Sequence, residues 1–515
     1  MLPARTHFTP SLTAAGPKRT IFEENLVTNT ITTEPGGPAS PAAPETRKNA
    51  RGPLRALIMR LHFYAGVFVG PFLIIAALSG ALYALTPAME EGIYDKELHV
   101  PVSQSSVPLA EQIRAAQQIV GAKEPSAVRP APKPGDTTRI MFADPALGES
   151  ESRAIFINPA NAEVRGDLTV YGTSGVLPFR TWIDDLHRTL HLGTAGRYYS
   201  ELAASWLWVI ALAGLALWLT KPRRKNTAAT TRATRTAPAR GGRFGRAGIA
   251  KIHGTGGVVL ILGFLFLSAT GLTWSQLAGD NITNLRTSLD WTTPKLPTAL
   301  SPAAAAPAAG GEHDHSHADT ATAGTDPAMY DHVLAAARTE PVIDAAKVEI
   351  KPPAKPGEAW TVTEIDRSWP TQADAAAVDP ATMTVSGKLV FNDFNFAAKL
   401  TRWGIDAHMG VLFGLANQIV LAVIALGLAG SVIGGYFMWW KRRPTRGTSW
   451  AAGRPPARRF LRTAPWPMTA AVAGVALAVG IAVPLLGINL VAFLVFDTVL
   501  GIVKNRGQRT GTAAH

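Results

Sequence analysis

The chain has 515 residues, 47% hydrophobic and 17% charged, with a net charge of +13 and no cysteine. The missing cysteine excludes structural disulfides, thiolate nucleophiles, cysteine-ligated iron–sulfur clusters and the C-x-x-C-H attachment of c-type haem. The excess charge does not read as a nucleic-acid surface, because it sits beside apolar runs: residues 221–251 carry ten Lys/Arg, residues 441–462 carry eight, and neither block holds an acid.

In chain order, residues 1–55 are rich in Pro, Thr and Ala and predict a disordered basic cytoplasmic tail. No signal-peptide h-region occurs there, so the first span is expected to serve as the signal. Apolar runs near 57–86, 201–220, 252–275, 415–440 and 468–503 are each long enough to cross a bilayer, which takes about 20 residues. The two basic blocks read as cytoplasmic under the positive-inside rule. Residues 87–186, with fourteen acids against nine bases, read as external. The expected order is a first span at 56–86, an external α+β domain at 87–181, and an outer amphipathic segment with the second span at 182–220. A basic cytoplasmic loop at 221–250 leads to the third span at 251–275. A second external α+β domain follows at 276–400, then an outer segment with the fourth span at 401–440 and a basic loop at 441–466. One or two C-terminal membrane segments fall within 467–503, interrupted by Pro484 and Gly487, before a tail at 504–515. The fold class expected is a polytopic α-helical protein of the cytoplasmic membrane with four core spans in two pseudo-repeats.

The repeat is legible residue by residue. His62 stands as far before Gly80 as His253 stands before Gly271, with Ser79 matching Thr270. Aligned on His187 and His408, Trp182 matches Trp403, Asp185 matches Asp406, Gly214 matches Gly435 and Trp218 matches Trp439. "NPANAEVRG" (158–166) and "DPATMTVSG" (379–387) repeat within the two expected external domains, each preceded by a helix-like stretch and alternating strand-like segments.

The insert ending in "NPANAEVRG" resembles the PepSY domain. The apolar runs resemble PepSY-associated transmembrane helices, most specifically in "LHRTLHLGTAG", "RWGIDAHMGVLFGLANQ" and "GYFMWWKRRP", over about residues 55–505. Some members of that family are inner-membrane haem proteins that reduce ferric siderophores, so the resemblance implies electron transfer.

Four of the twelve histidines occupy equivalent places in the repeat: His62 and His253 at the cytoplasmic starts of spans one and three, His187 and His408 at the outer face. Histidines from facing helices close the axial positions of a b-type haem without cysteine. Two haems are therefore expected, an inner one on His62 and His253 and an outer one on His187 and His408. His191 is the alternative outer ligand, one turn from His187 on the same helix face. Eighteen helical residues span about 27 Å, which puts the two sites on opposite sides of the bilayer. Arg60, Lys251, Arg188 and Arg402 flank the histidines as candidate partners of haem propionates. A histidine at a helix end is otherwise an ordinary interfacial residue; the symmetric pairing is what favours ligation. The tract "HDHSH", with His313, His315 and His317, has the composition of a metal tether in a linker.

No nucleotide or flavin motif is found, so electrons are expected from quinol or a separate cytoplasmic donor. The expected activity is reduction of an external ferric siderophore or other iron chelate by a transmembrane haem-dependent reductase. The alternatives are a non-redox, membrane-anchored PepSY module that binds an envelope protein, peptide or peptidase, and a haem or metal transporter.

Overall fold

A computed structural model describes residues 51–221, 245–300, 325–340, 342–441 and 464–512. The expected N-terminal tail, most of both basic loops and the His313–His317 tract lie outside the described residues. Among those described, the chain is a bundle of long apolar helices beneath one antiparallel sheet.

The first long helix runs as α1 (Arg51–Phe68) and α2 (Gly70–Ile93), broken at Val69. Pro71 has no N–H to give and cannot bond the carbonyl of Val67, four residues back. The Tyr436 hydroxyl donates to that carbonyl instead, at 2.6 Å. An unpaired carbonyl at membrane depth is costly, so this bond accounts for a proline in the helix. The corresponding helix, α7 (Arg246–Val259) and α8 (Ile261–Thr273), is bent by 60° after its glycine-rich stretch Gly254–Gly257.

Two unbroken helices, α6 (Gly193–Leu219) and α12 (Gly414–Trp440), complete the bundle. Each broken helix changes neighbour at its break: α1 lies on α6 and α2 on α12, while α7 lies on α12 and α8 on α6. Ala65, Ala77, Ala203 and Ala429 let the backbones approach, and Leu73, Trp206, Phe264 and Leu428 fill the remaining volume. By length and composition α2, α6 and α12 are each able to cross a membrane, as is the bent α7–α8 pair taken as one span.

The two strand sets expected as separate small domains are one sheet. Helix α3 (Asp95–Leu98) and helix α4 (Leu109–Val120) precede β1 (Ala127–Arg129), β2 (Thr138–Phe142), β3 (Glu151–Ile157) and β4 (Val164–Tyr171). Helix α10 (Ala328–Thr339) precedes β5 (Val348–Lys351), β6 (Trp360–Glu364), β7 (Ala375–Asp379) and β8 (Thr384–Leu389). The strand order is β4-β3-β2-β1-β5-β6-β7-β8, every neighbour antiparallel, with Val128 opposite Ile350 at the join. The reason is a shared core. Ile113 and Ala116 of α4 and Val333 and Ala337 of α10 pack in one cluster with Val128, Ile140, Val348 and Val362. Pro108 cannot cap α4 with a side chain; Asp331 of α10 does so, accepting from the N–H groups of Leu109 and Ala110 at 2.9 Å each. Across the join, buried Arg129 and Glu349 form an ion pair at 2.5 Å. Burial pushes the Glu349 carboxyl up, but Arg129 and Lys351 outweigh it and hold the group below its ordinary range. Burial and neighbouring Arg129 lower Arg139 to about 9.

Short amphipathic helices join sheet to bundle: α5 (Pro178–Thr189) and α11 (Phe396–His408), with α9 (Leu277–Ser288) beside them. Buried Glu201 of α6 accepts from the N–H groups of Gln276, Leu277 and Ala278, which fixes the start of α9. At the C-terminus, α13 (Trp466–Ala482) and α14 (Pro484–Thr512) are two helices that part at Val483. The carbonyls of Ile481 and Ala482, left free at that break, accept from the Asn281 amide at 3.1 and 3.2 Å.

Candidate functional site

The four repeated histidines stand in two layers, one at the sheet end of the bundle and one at the far end. The far pair comes from α1 and α7. His62 and His253 face each other with ring centres 6.0 Å apart and planes inclined by 70°. His62 Nδ1 donates to the Ile210 carbonyl at 2.9 Å, and His253 Nδ1 donates to the Ser431 carbonyl at 2.9 Å. Ile210 lies as far after His187 as Ser431 lies after His408. A carbonyl only accepts, so each Nδ1 carries the ring proton and each Nε2 keeps its lone pair. One turn beyond these carbonyls, Gly214 and Gly435 leave room for the rings. A Cβ on Gly214 would stand 3.1 Å from His62 Cε1, and one on Gly435 would stand 4.0 Å from His253 Cε1.

The sheet-end pair uses hydroxyls for the same task. His187 Nδ1 is 3.0 Å from Ser79 Oγ, and His408 Nδ1 is 2.6 Å from Thr270 Oγ1. Each hydroxyl gives its own proton to a carbonyl of its helix: Ser79 to Ile75 at 2.8 Å, Thr270 to Phe266 at 2.7 Å. The hydroxyl oxygens therefore accept from the imidazoles, and Nε2 is again left with its lone pair. His187 lies over Gly80, where a Cβ would come within 2.9 Å of Cε1, and stacks with Tyr83 at 6.5 Å. Trp274, at 5.0 Å, and Phe266, at 6.2 Å, wall His408.

Chemically, each imidazole is oriented, held in one tautomer and backed by a hydrogen-bond acceptor on Nδ1, the usual preparation of a histidine metal ligand. Imidazole nitrogen–metal bonds run about 2 Å, so two imidazoles on opposite sides of one metal have ring centres roughly 6 Å apart. The His62–His253 spacing fits that arrangement. Among the described residues no group of three or more His, Asp or Glu gathers as a metal cage. Each pair could supply at most two ligands, a number that suits a metal whose remaining positions a macrocycle fills.

The other expected residues are placed differently. His191 is not on the helix of His187: α5 ends at Thr189, and Leu190 and His191 both take left-handed backbone angles. His191 is exposed and packs on Trp182 at 4.9 Å, so the expected shared helical face is not formed. Arg188 is engaged by Asp184 at 3.9 Å and the Tyr171 hydroxyl at 3.2 Å. Arg402 bonds Asp406 at 3.0 Å. Arg60 lies over the Tyr64 ring at 5.6 Å, and Lys251 is exposed near the far pair.

Two arginines not anticipated stand at the sheet-end layer. Arg180 lies two turns before His187 on α5, over the Tyr83 ring at 4.8 Å. Arg367 forms an ion pair at 2.5 Å with Asp406, the fully buried acid beside His408. Burial lowers the Arg367 guanidinium from its ordinary value, with Asp406 acting against the shift. The match of Asp406 to Asp185 in the repeat was a sequence signal for that acid; nothing local marks Arg367.

The family model of the PepSY-associated TM region matches residues 59–442. No curated protein matches the chain.

Proposed function

The chain belongs to the PepSY-associated transmembrane family, and from that premise we propose that it is a haem b protein of the cytoplasmic membrane that passes electrons outward to reduce an external ferric chelate, a siderophore, in iron uptake. One observation carries the reading: four histidines in two layers, each with Nδ1 engaged by the protein and Nε2 left to ligate. An interfacial histidine without a ligand has no need of that uniform arrangement. The 6.0 Å spacing of His62 and His253 supports the reading that these two residues would hold a single iron between them. The matched carbonyl, hydroxyl and glycine partners support the reading that the two halves are copies of one unit.

The basic blocks follow directly on the far ends of α6 and α12. Under the positive-inside rule that end is cytoplasmic and the sheet external. His62 and Ser79 are then separated by roughly 25 Å of helix, so the two histidine layers lie near opposite faces of the membrane. Bound at each layer, haem would supply a one-electron iron couple. The chain's own part is to hold and orient. Ile210 and Ser431 fix the cytoplasmic imidazoles and raise the basicity of their Nε2 atoms. Ser79 and Thr270 do so at the external layer, where Trp274 and Phe266 exclude water. One electron from quinol or a cytoplasmic donor converts Fe(III) in the chelate to Fe(II), which the chelate releases more readily.

Sealed vesicles test this. With quinol supplied on the side of the basic loops and ferric chelate plus a ferrous-specific dye on the other, the haem-loaded chain should generate Fe(II). His62→Ala and His408→Ala should not. A haem-loaded wild type that yields no Fe(II) from quinol or dithionite would contradict the proposal.

A further inference from the structure

Between the sheet and the two helices that carry the sheet-end histidines lies a pocket of about 210 Å³, lined by Ser174, Arg180, Lys347, Asp366, Arg367 and Met409 among others. Its lining holds three cations, Arg180, Lys347 and Arg367, against one carboxylate, Asp366. Lys347 pairs with Asp366 at 3.5 Å, and Arg367 with Asp406 at 2.5 Å, but Asp406 is shared with Arg402. Arg180 has no carboxylate on its guanidinium. Its terminal nitrogen donates to the Met409 carbonyl at 3.1 Å, while Glu90 takes only its backbone N–H, at 3.3 Å. Arg180 is 7% exposed; Tyr83 also bonds its side chain and Glu90 and Asp184 act on it from a distance, but its Nε has no hydrogen-bond partner. A buried guanidinium left short of partners costs stability unless something satisfies it.

We infer that this pocket is a carboxylate-binding site in which Arg180, with Arg367 and Lys347, receives a ligand's carboxylate. The planar fork of a guanidinium matches a carboxylate with two parallel hydrogen bonds. Ser174 and Ser368 add hydroxyls to the lining, and the volume suits one acidic arm rather than a whole chelate. Position narrows the source of that arm. Met409 follows His408 directly, and Arg180 is two turns from His187. The carboxylate is therefore either a propionate of a haem held by those histidines or an acidic arm of a chelate arriving at the sheet. Only the first source rests on the proposed haem.

The full-length chain in detergent, prepared with and without haem, separates these outcomes. Citrate is titrated calorimetrically, and affinities for haem and haem dimethyl ester are compared, in wild type, Arg180→Gln and Arg180→Lys. If the arm belongs to a chelate, citrate binds the haem-loaded wild type and Arg180→Gln weakens it by about tenfold or more, with Arg180→Lys in between. If it is a propionate, citrate binds only the haem-free chain. Haem then outbinds its dimethyl ester by a similar factor, and Arg180→Gln removes the preference. Should Arg180→Gln not fold, Lys347→Gln, on a half-exposed side chain, is expected to weaken the same binding severalfold. Citrate binding to neither form, together with equal affinity for haem and its ester, would overturn the inference and leave the histidine sites standing. A chain that takes up no haem but binds citrate through Arg180 would do the reverse.

Discussion

Ser79 stands between two groups: its hydroxyl donates to the Ile75 carbonyl and accepts from His187 Nδ1 at 3.0 Å. Thr270 repeats the relationship with Phe266 and His408. Because each hydroxyl has already given its proton to a carbonyl, it accepts from Nδ1 and so favours one tautomer. Ser79→Ala and Thr270→Val should each weaken haem retention at the sheet-end layer by about 10–100-fold, the usual cost of losing such a partner, and leave the His62–His253 layer unaffected. Titration of haem into the haem-free chain measures this; unchanged affinity in both variants would refute the orienting role.

The glycines beneath the histidine rings make an unsymmetrical prediction. A Cβ at Gly214 meets His62 Cε1 at 3.1 Å and one at Gly80 meets His187 Cε1 at 2.9 Å, whereas one at Gly435 stays 4.0 Å from His253 Cε1. Gly214→Ala and Gly80→Ala should displace their rings and alter the low-temperature absorption or paramagnetic resonance spectrum of one haem each. Gly435→Ala should be silent. Equal spectra for all three would show that the rings do not lie where the structure puts them.

Tyr436 supplies the bond that Pro71 denies to Val67. Removing the hydroxyl leaves an unpaired carbonyl inside the bundle. Tyr436→Phe is expected to destabilise the chain by about 1 kcal/mol, typical of interhelical hydrogen bonds in membranes. Denaturation in mixed detergent reads it, and a variant as stable as wild type would show that water or a shifted backbone takes the carbonyl.

At the join of the sheet, Glu349 answers Arg129 from a buried position. Its folded-state pKa is depressed below the ordinary 4.5. The pair's contribution is therefore complete above the unfolded pKa and is lost as pH falls through the lower folded value. Glu349→Gln strands a buried guanidinium and should cost about 3–5 kcal/mol at neutral pH. The difference from wild type should shrink on acidification below pH 4.5. A difference that stays constant down to pH 2 would assign the cost to packing.

Much of the site was legible because the repeat exposes it. Four histidines stood out at matched offsets; Ser79 against Thr270 and Gly214 against Gly435 were visible only as matches of the repeat, and their contact with the rings is a tertiary fact. Boundaries were less visible. The bond that lets Pro71 break the helix at Val69 comes from Tyr436, far along the chain, and the end of α5 depends on Leu190 and His191 adopting left-handed angles without a glycine. Periodicity reads straight through such residues, which is why His191 looked equivalent to His187. The union of the strand sets rests on the Val128–Ile350 pairing and on a core shared by α4 and α10. Arg180 and Arg367 owe their place to tertiary packing alone, so no local pattern announced them.

The central claim is that paired histidine Nε2 atoms hold two haems. The most direct measurement is haem quantified per chain, with a dithionite-reduced minus oxidised spectrum, for wild type, His62→Ala, His408→Ala and His191→Ala. The account predicts two b-type haems in wild type, one in each of the first two variants and two in the third. A wild type purified colourless from haem-replete cells, or full haem content in His62→Ala and His408→Ala, would contradict it.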